Sequence, residues 1–322
     1  MSFTGFTLAS IIQTRYAERM INSIQMPFGG APLDYAEDKR TPEHIQKFLA
    51  MPSARAVLLH QGKAGIGKGG RLHRVHPSEL IGQNLYEPGP IFLGLDGERP
   101  VFAASLQNIS AFLPEENFYD MRLGGAKMHA DDLAIAGRAK SLFDWHVSHR
   151  YCANCGGGSV PDEMGAKRVC NHCNTEHFPR VNPVVIMLVI HDDKILLGRG
   201  VGWPDKAMSA LAGFVSPGET LEEATAREVF EEVGVTIKDP RYIFSQPWPY
   251  PSQIMMGMIC EAVNTDITLN KNELEDAQWY SREQVDFVIN GNDKDKAAFL
   301  RPPKTTIARH LLDYWLRGDG AA

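Results

Sequence analysis

Four of the five cysteines in this 322-residue chain stand close together, as Cys152-Ala-Asn-Cys155 and Cys170-Asn-His-Cys173. Two C-x2-C pairs across a short spacer have the spacing of a tetrathiolate zinc ribbon. Each pair turns the chain so that two sulfurs face one cation, and Gly156, Gly157 and Gly158 are expected to supply the positive φ angles of that turn. Zn2+ then replaces the core that so short a segment cannot build. Four thiolates leave no open coordination position, so the expected zinc is structural. The competing readings are two disulfides or a redox C-x-x-C pair. Residues 1–12 lack the basic start of a secretory signal, which weakens the first, and a redox motif needs no second matched knuckle. Cys260 is left over in the apolar stretch 254–260 and reads as a small buried hydrophobe.

The ribbon also divides the chain. Ahead of it, residues 54–59 and 90–104 read as strands, with Asp96-Gly97 as a hairpin signal, and residues 130–150 read as a helix. The expected organisation is an N-terminal α+β domain over 1–145, the ribbon over 146–179, and a third unit over 180–322. No internal repeat is evident. A hydrophobic content of 43% supports sizeable cores, and a net charge of −6 gives no global field toward nucleic acid or anionic membrane. The longest apolar run, 184–190, is far short of the ~20 residues of a spanning helix, so a cytoplasmic protein is expected. The run Gly62-Lys-Ala-Gly-Ile-Gly67-Lys68 imitates a phosphate-binding loop. Gly69 stands where Ser or Thr should hold Mg2+, and no helical pattern follows, so a turn is the better reading.

Beyond the ribbon, residues 181–190 read as a buried strand, and His191-Asp192-Asp193-Lys194 as a turn into Ile195-Leu196-Leu197. A loop, Gly213-Phe-Val-Ser-Pro-Gly218-Glu219, leads into Thr220-Leu-Glu-Glu-Ala-Thr-Ala-Arg227-Glu228-Val229-Phe-Glu231-Glu232-Val-Gly234-Val235. Thr220 and Glu223 form a capping box, and Gly234 suits the position after the last turn, which predicts a helix between them. On it Glu228, Glu231 and Glu232 stand at i, i+3 and i+4 and share a face. Like charges so close need compensation, for which a hard divalent cation, Mg2+ or Mn2+, is the natural candidate. Arg227, four residues before Glu231, is placed to orient that carboxylate. The plainer alternative, a solvated acidic face, suits Glu222 and Glu223.

Residues 213–235 fit the signature G-x5-E-x7-R-E-U-x-E-E-x-G-U, U being a bulky aliphatic, at every specified position. The chain therefore resembles the Nudix hydrolases. That resemblance implies an α/β/α sandwich carrying the signature as loop–helix–loop, and hydrolysis of a nucleoside diphosphate linked to another moiety. It makes Glu228, Glu231 and Glu232 the ligands of catalytic metals, with Arg227 and Glu219 as supporting members. Which glutamate acts as base is left open.

Ten residues further lies Ser245-Gln246-Pro247-Trp248-Pro249-Tyr250-Pro251-Ser252-Gln253. Alternate prolines hold the chain extended and remove donors, which excludes a strand paired on both sides. Trp248 and Tyr250 are then free to stack on a flat ring, or are buried in a core as part of a connecting loop. The array resembles that of the NADH pyrophosphatase subfamily, which also carries a four-cysteine ribbon ahead of its Nudix domain. Tyr250 replaces the usual Phe, and Gln253 replaces the final Ser. By this resemblance residues 246–253 bind substrate, together with Ala212, Ala308 and Phe178. Glu273 is a further metal ligand, and Arg122 matches an N-terminal arginine reaching the site. It also implies a homodimer hydrolysing NADH to a nicotinamide mononucleotide and AMP, with removal of NAD caps from RNA in some members. The alternatives are ADP-ribose or diadenosine polyphosphates as substrate, or a dinucleotide-binding regulator without hydrolysis.

Overall fold

The computed structural model describes residues 26–293 and 295–318; the segment 1–12 read above lies outside them. The first sheet is built from β1 (Arg55–His60), β2 (Lys63–Gly65), β3 (Arg74–Val75), β4 (Ile91–Asp96), β5 (Arg99–Ser105) and β6 (Phe118–Tyr119). Its order is β4-β5-β1-β2-β6, with β3 alongside β1, and only the β1–β5 pair is parallel. Centrality follows from composition. Ala56, Val57, Leu58, Phe102, Ala103 and Ala104 are fully buried, as expected of strands covered on both faces. Gly97 takes φ 60° in the two-residue turn closing the Asp96–Arg99 pair, as the Asp-Gly signal predicts. The helix Ala130–Ser148 covers one face, packing Leu133, Ile135, Ala136 and Phe143 against Val57, Leu59 and Ile91.

A small sheet of β7 (Ser159–Asp162), β8 (Lys167–Cys170) and β9 (Glu176–His177) forms the ribbon. The last sheet comprises β10 (Asn182–His191), β11 (Lys194–Gly200), β12 (Leu211–Phe214), β13 (Ile237–Trp248), β14 (Gln253–Ala262) and β15 (Leu274–Ser281). Its order is β13-β14-β10-β11-β15, with β12 beside β10 and only β10–β14 parallel. Alternation along β10 assigns its two faces. Val185, Met187 and Val189 face the helix Leu221–Val233, whereas Ile186 and Leu188 pack with the helices Arg282–Asn290 and Ile307–Leu316. The result is an α/β/α sandwich.

The two large sheets share one plan. Read in chain order, β1 to β6 take the places of β10 to β15: the same strand order, the same off-path third strand, and the same single parallel pair. This corrects the expectation of no internal repeat. The repeat is one of topology. A single 3-10 turn, Pro77–Leu80, lies between β3 and β4 where the second copy inserts its 13-residue carboxylate helix. Without that helix, no sequence motif is shared for the eye to find.

The Pro-rich segment also departs from expectation. It is an edge, as the prolines require, but the strand stops at Trp248 and residues 249–252 reverse the chain, so that Trp248 pairs with Gln253. Its rings are not free. Trp248 and Tyr250 pack on the N-terminal core, Phe28 meeting each edge-on at 5.6 and 6.4 Å between centroids.

Candidate active site

The signature loop and helix explain themselves residue by residue. Thr220 Oγ1 accepts from Glu223 N at 3.2 Å and Glu223 Oε2 accepts from Thr220 N at 2.8 Å, the reciprocal cap predicted. Glu223 is thus a capping residue. Gly234 ends the helix at φ 70°. Ala224, Val229 and Val233 are fully buried against β10, each Val contributing about 1.5–3 kcal/mol by leaving water. This anchoring turns Glu228 and Glu232 inward, to 9% and 6% exposure, and leaves Glu231 at the surface. Gly213, the first signature residue, is needed for contact rather than for its torsions. A Cβ there would stand 1.8 Å from the Glu228 carboxyl carbon, so the carboxylate crosses the strand where a side chain would be.

Arg227 organises the site more widely than its spacing suggested. Its Nε and Nη2 grip Glu219 at 2.5 and 2.9 Å, Nη1 donates to both Glu228 and Glu231 at 2.8 Å, and Nη2 also donates to the Phe214 carbonyl at 2.9 Å. The guanidinium, with Ser216 N–H, holds the Glu219 carboxyl down at about 2. Part of the compensation that this face needs thus comes from the protein itself, through one arginine.

Glu232 lies beyond that reach. Burial, reinforced by the charges of Glu228 and Glu273, pushes its carboxyl up to about 8 against the pull of the Ala212 N–H. Its Oε2 is buried with no hydrogen-bond partner. Burial also raises Glu228, in spite of Arg227. Glu273 is exposed at the start of β15, tied back through Glu273 N to Asn270 O and Asn270 N to Glu232 O. It is near enough for its charge to act on both buried carboxylates. An orphaned carboxylate oxygen among mutually repelling hard oxygen donors suits Mg2+ or Mn2+.

Of the other expected substrate residues, Ala212 and Ala308 share one core cluster and Gln246 reaches the turn ahead of the Ala308 helix, whereas Phe178 lines a separate cavity. Ala212 is in β12 against Ile186, and Ala308 is buried in the Ile307–Leu316 helix. Gln246 is fully buried, its Nε2 donating to Pro27 O and Thr305 O, its Oε1 unpartnered. Pro249 is buried, while Pro247 and Pro251 are exposed; Ser252 O accepts from Asn182 N. Arg122 does reach the segment, its guanidinium 4.3 Å from the Tyr250 ring centre. Phe178 is 60% exposed and lines a cavity with Arg40 and Arg138, away from the glutamates' own contacts. Sequence reasoning missed Phe28, Lys140 and Phe214. Lys140 stands 4.9 Å from the Tyr250 ring centre, and Phe214 offers a ring 55% exposed beside Arg227. For Phe214, its place directly after Gly213 in the signature was the available signal.

In the ribbon the four Sγ atoms lie within 4.8 Å of one another, with Cys152–Cys173 and Cys155–Cys170 at 3.6 Å. A tetrahedron with Zn–S of about 2.3 Å needs S–S separations of about 3.8 Å, so the cluster fits zinc. Backbone N–H groups of Asn154, His172 and Cys173 point at the sulfurs, and His177 Nε2 lies 3.2 Å from Cys152 Sγ. The glycine expectation needs correction: only Gly156 has positive φ (75°), whereas Gly157 is required because a Cβ would press on His172 and Cys155. Gly158 meets neither condition. Cys260 is buried, its thiol pushed up to about 12.

Three family descriptions match in succession: a NADH pyrophosphatase-like rudimentary NUDIX domain over residues 53–145, a NADH pyrophosphatase zinc ribbon domain over 148–178, and a NUDIX domain over 181–302. The chain belongs to the Nudix hydrolase family, in the branch that carries the NADH pyrophosphatase zinc ribbon. Among its relatives, the NAD-capped RNA hydrolase NudC of Deinococcus radiodurans is 34% identical over 286 residues, which cover 88% of this chain and 92% of that protein. The NAD-capped RNA hydrolase NUDT12 of Macaca fascicularis is 43% identical over 197 residues, 58% of this chain and 42% of that protein. The chain thus spans about two-fifths of the length of the first such relatives it matches.

Proposed function

We propose that the protein hydrolyses the pyrophosphate of NAD(H), giving a nicotinamide mononucleotide and AMP, and acts likewise on NAD caps of RNA, as the names of its relatives suggest. The observation that carries this reading is the buried, unpartnered Glu232 Oε2 under the charges of Glu228 and Glu273 in an intact signature. We assign Glu228, Glu231, Glu232 and Glu273 to Mg2+ or Mn2+, and the four cysteines to structural zinc. A divalent cation bound at the carboxylates supplies charge neutralisation for the pyrophosphate oxygens and a more acidic water. Arg227 holds Glu219, Glu228 and Glu231 in place, so little reorganisation is needed when substrate arrives. Glu232, whose carboxyl lies near 8 without metal, gives up its proton when a cation binds there. The exposed Phe214 ring offers a flat surface for nicotinamide or adenine. A homodimer is the assembly that the subfamily resemblance implies.

The test is a product assay on NADH, NAD+, ADP-ribose and NAD-capped RNA with and without Mg2+ or Mn2+. AMP and nicotinamide mononucleotide should appear only with metal. Binding of these substrates without turnover under any metal would favour the regulator.

A further inference from the structure

Between the N-terminal half and the ribbon lies a cavity of about 330 Å3, at the small end of the range for ligand pockets of about 300–1,000 Å3. Two arginines face it. Arg40, only 7% exposed, donates from Nη1 to Phe92 O at 3.1 Å and from Nη2 to Tyr35 O at 3.2 Å. Arg138, from the Ala130–Ser148 helix, lays its guanidinium 3.7 Å from the Tyr35 ring centre, and its Nε is buried without a hydrogen-bond partner. The short segment 35–40 therefore holds both cations at one space.

Their charge is only partly compensated, by Glu37 acting on both and Glu163 on Arg40. Among the described residues neither guanidinium forms an ion pair, although Glu37 and Glu163 also line the cavity. Glu163 is engaged by Lys167 at 2.7 Å, which leaves the exposed Glu37 as the nearby free carboxylate. Burial lowers the pKa of both arginines, and Arg138 lowers that of Arg40 further. Two desolvated like charges across a cavity are costly unless an anion joins them.

We propose that this cavity is a binding site for a phosphate group, as free phosphate or as a phosphomonoester, held between Arg40 and Arg138. Planar guanidinium forks match a tetrahedral oxyanion, and a dianion answers two cations where one carboxylate answers one. None of the four glutamates assigned to metal lines this cavity, although Phe178, which the subfamily resemblance gives to substrate, does.

Calorimetric titration of the whole chain tests it, in buffer without Mg2+ or Mn2+ and at constant ionic strength, using inorganic phosphate, AMP and chloride. Saturable binding of phosphate, absent for chloride, is expected. Arg138→Gln should weaken it at least tenfold, and Glu37→Gln, an exposed change that leaves the fold intact, should tighten it several-fold. Whichever of phosphate and AMP binds more tightly, and loses more on Arg138→Gln, identifies the source of the group. No saturable binding to the unaltered chain, or binding indifferent to Glu37→Gln, overturns the proposal even if Arg138→Gln does not fold.

Discussion

Glu232 carries a conflict between stability and use. Its folded pKa, about 8, lies above the ordinary carboxylate value, so between the two the folded state binds more protons than the unfolded one. Metal-free protein should therefore lose stability as pH rises through that window, and added Mg2+ should restore it. Glu232→Gln removes the conflict: thermal unfolding without metal at pH 8 should shift up by a few degrees while kcat falls about 10²–10⁴-fold. An unchanged Tm would show that the carboxylate is not strained by burial. His146 behaves in the opposite sense. It is 1% exposed, its Nε2 bonded to Gly165 O and Nδ1 accepting from Arg168, and burial depresses its pKa to about 4 from 6.5. The unfolded chain then takes up a proton that the folded chain refuses. Stability should be fully present above about pH 6.5 and fall by up to about 3 kcal/mol as pH drops toward 4, which denaturant titrations at pH 7 and 4.5 will show. His146→Gln should flatten that dependence.

At the scale of elements, the loop–helix–loop was readable in advance because its rules are local. Thr220 with Glu223 fixes the start, Gly234 the stop, and the i, i+3, i+4 spacing the shared face of the glutamates. The grip of Arg227 on Glu219 was not readable, since it joins a residue just outside the helix cap to one inside the helix, a pairing that no i, i+4 rule covers. Nor was the need for Gly213, which arises only when Glu228 folds back over it. Gly213→Ala should thus displace Glu228 and cost at least tenfold in kcat/KM, with the helix retained by circular dichroism; wild-type kinetics would contradict the contact. The Pro-rich segment misled for a related reason. Its residues announce an edge and aromatic faces, but Phe28 and the Ala130–Ser148 helix, distant in sequence, decide what those faces touch.

Taken whole, the molecule is two sheets of one plan joined by a zinc-dependent ribbon, and the duplication was invisible in sequence because the first copy lacks the carboxylate helix. The ribbon is bound to the N-terminal part that precedes it. Arg168, 1% exposed, donates to Glu87 at 2.8 Å and to His146 and Ser159 within the ribbon's seat. Stripping zinc should therefore lower Tm of the whole chain and raise protease sensitivity around residues 152–173; an unchanged Tm would mean the ribbon is an independent appendage. Phe28→Ala, emptying a site shared by the N-terminal core and Trp248, should cost about 3–5 kcal/mol. The central claim is that the signature carboxylates hold a cation that severs a phosphoanhydride. Chromatography of NADH incubated with purified protein decides it: with Mg2+ or Mn2+ present, AMP and reduced nicotinamide mononucleotide should accumulate in equal amounts, and Glu232→Gln should slow both by the same factor, about 10²–10⁴-fold. Intact NADH after incubation with either metal would contradict the account.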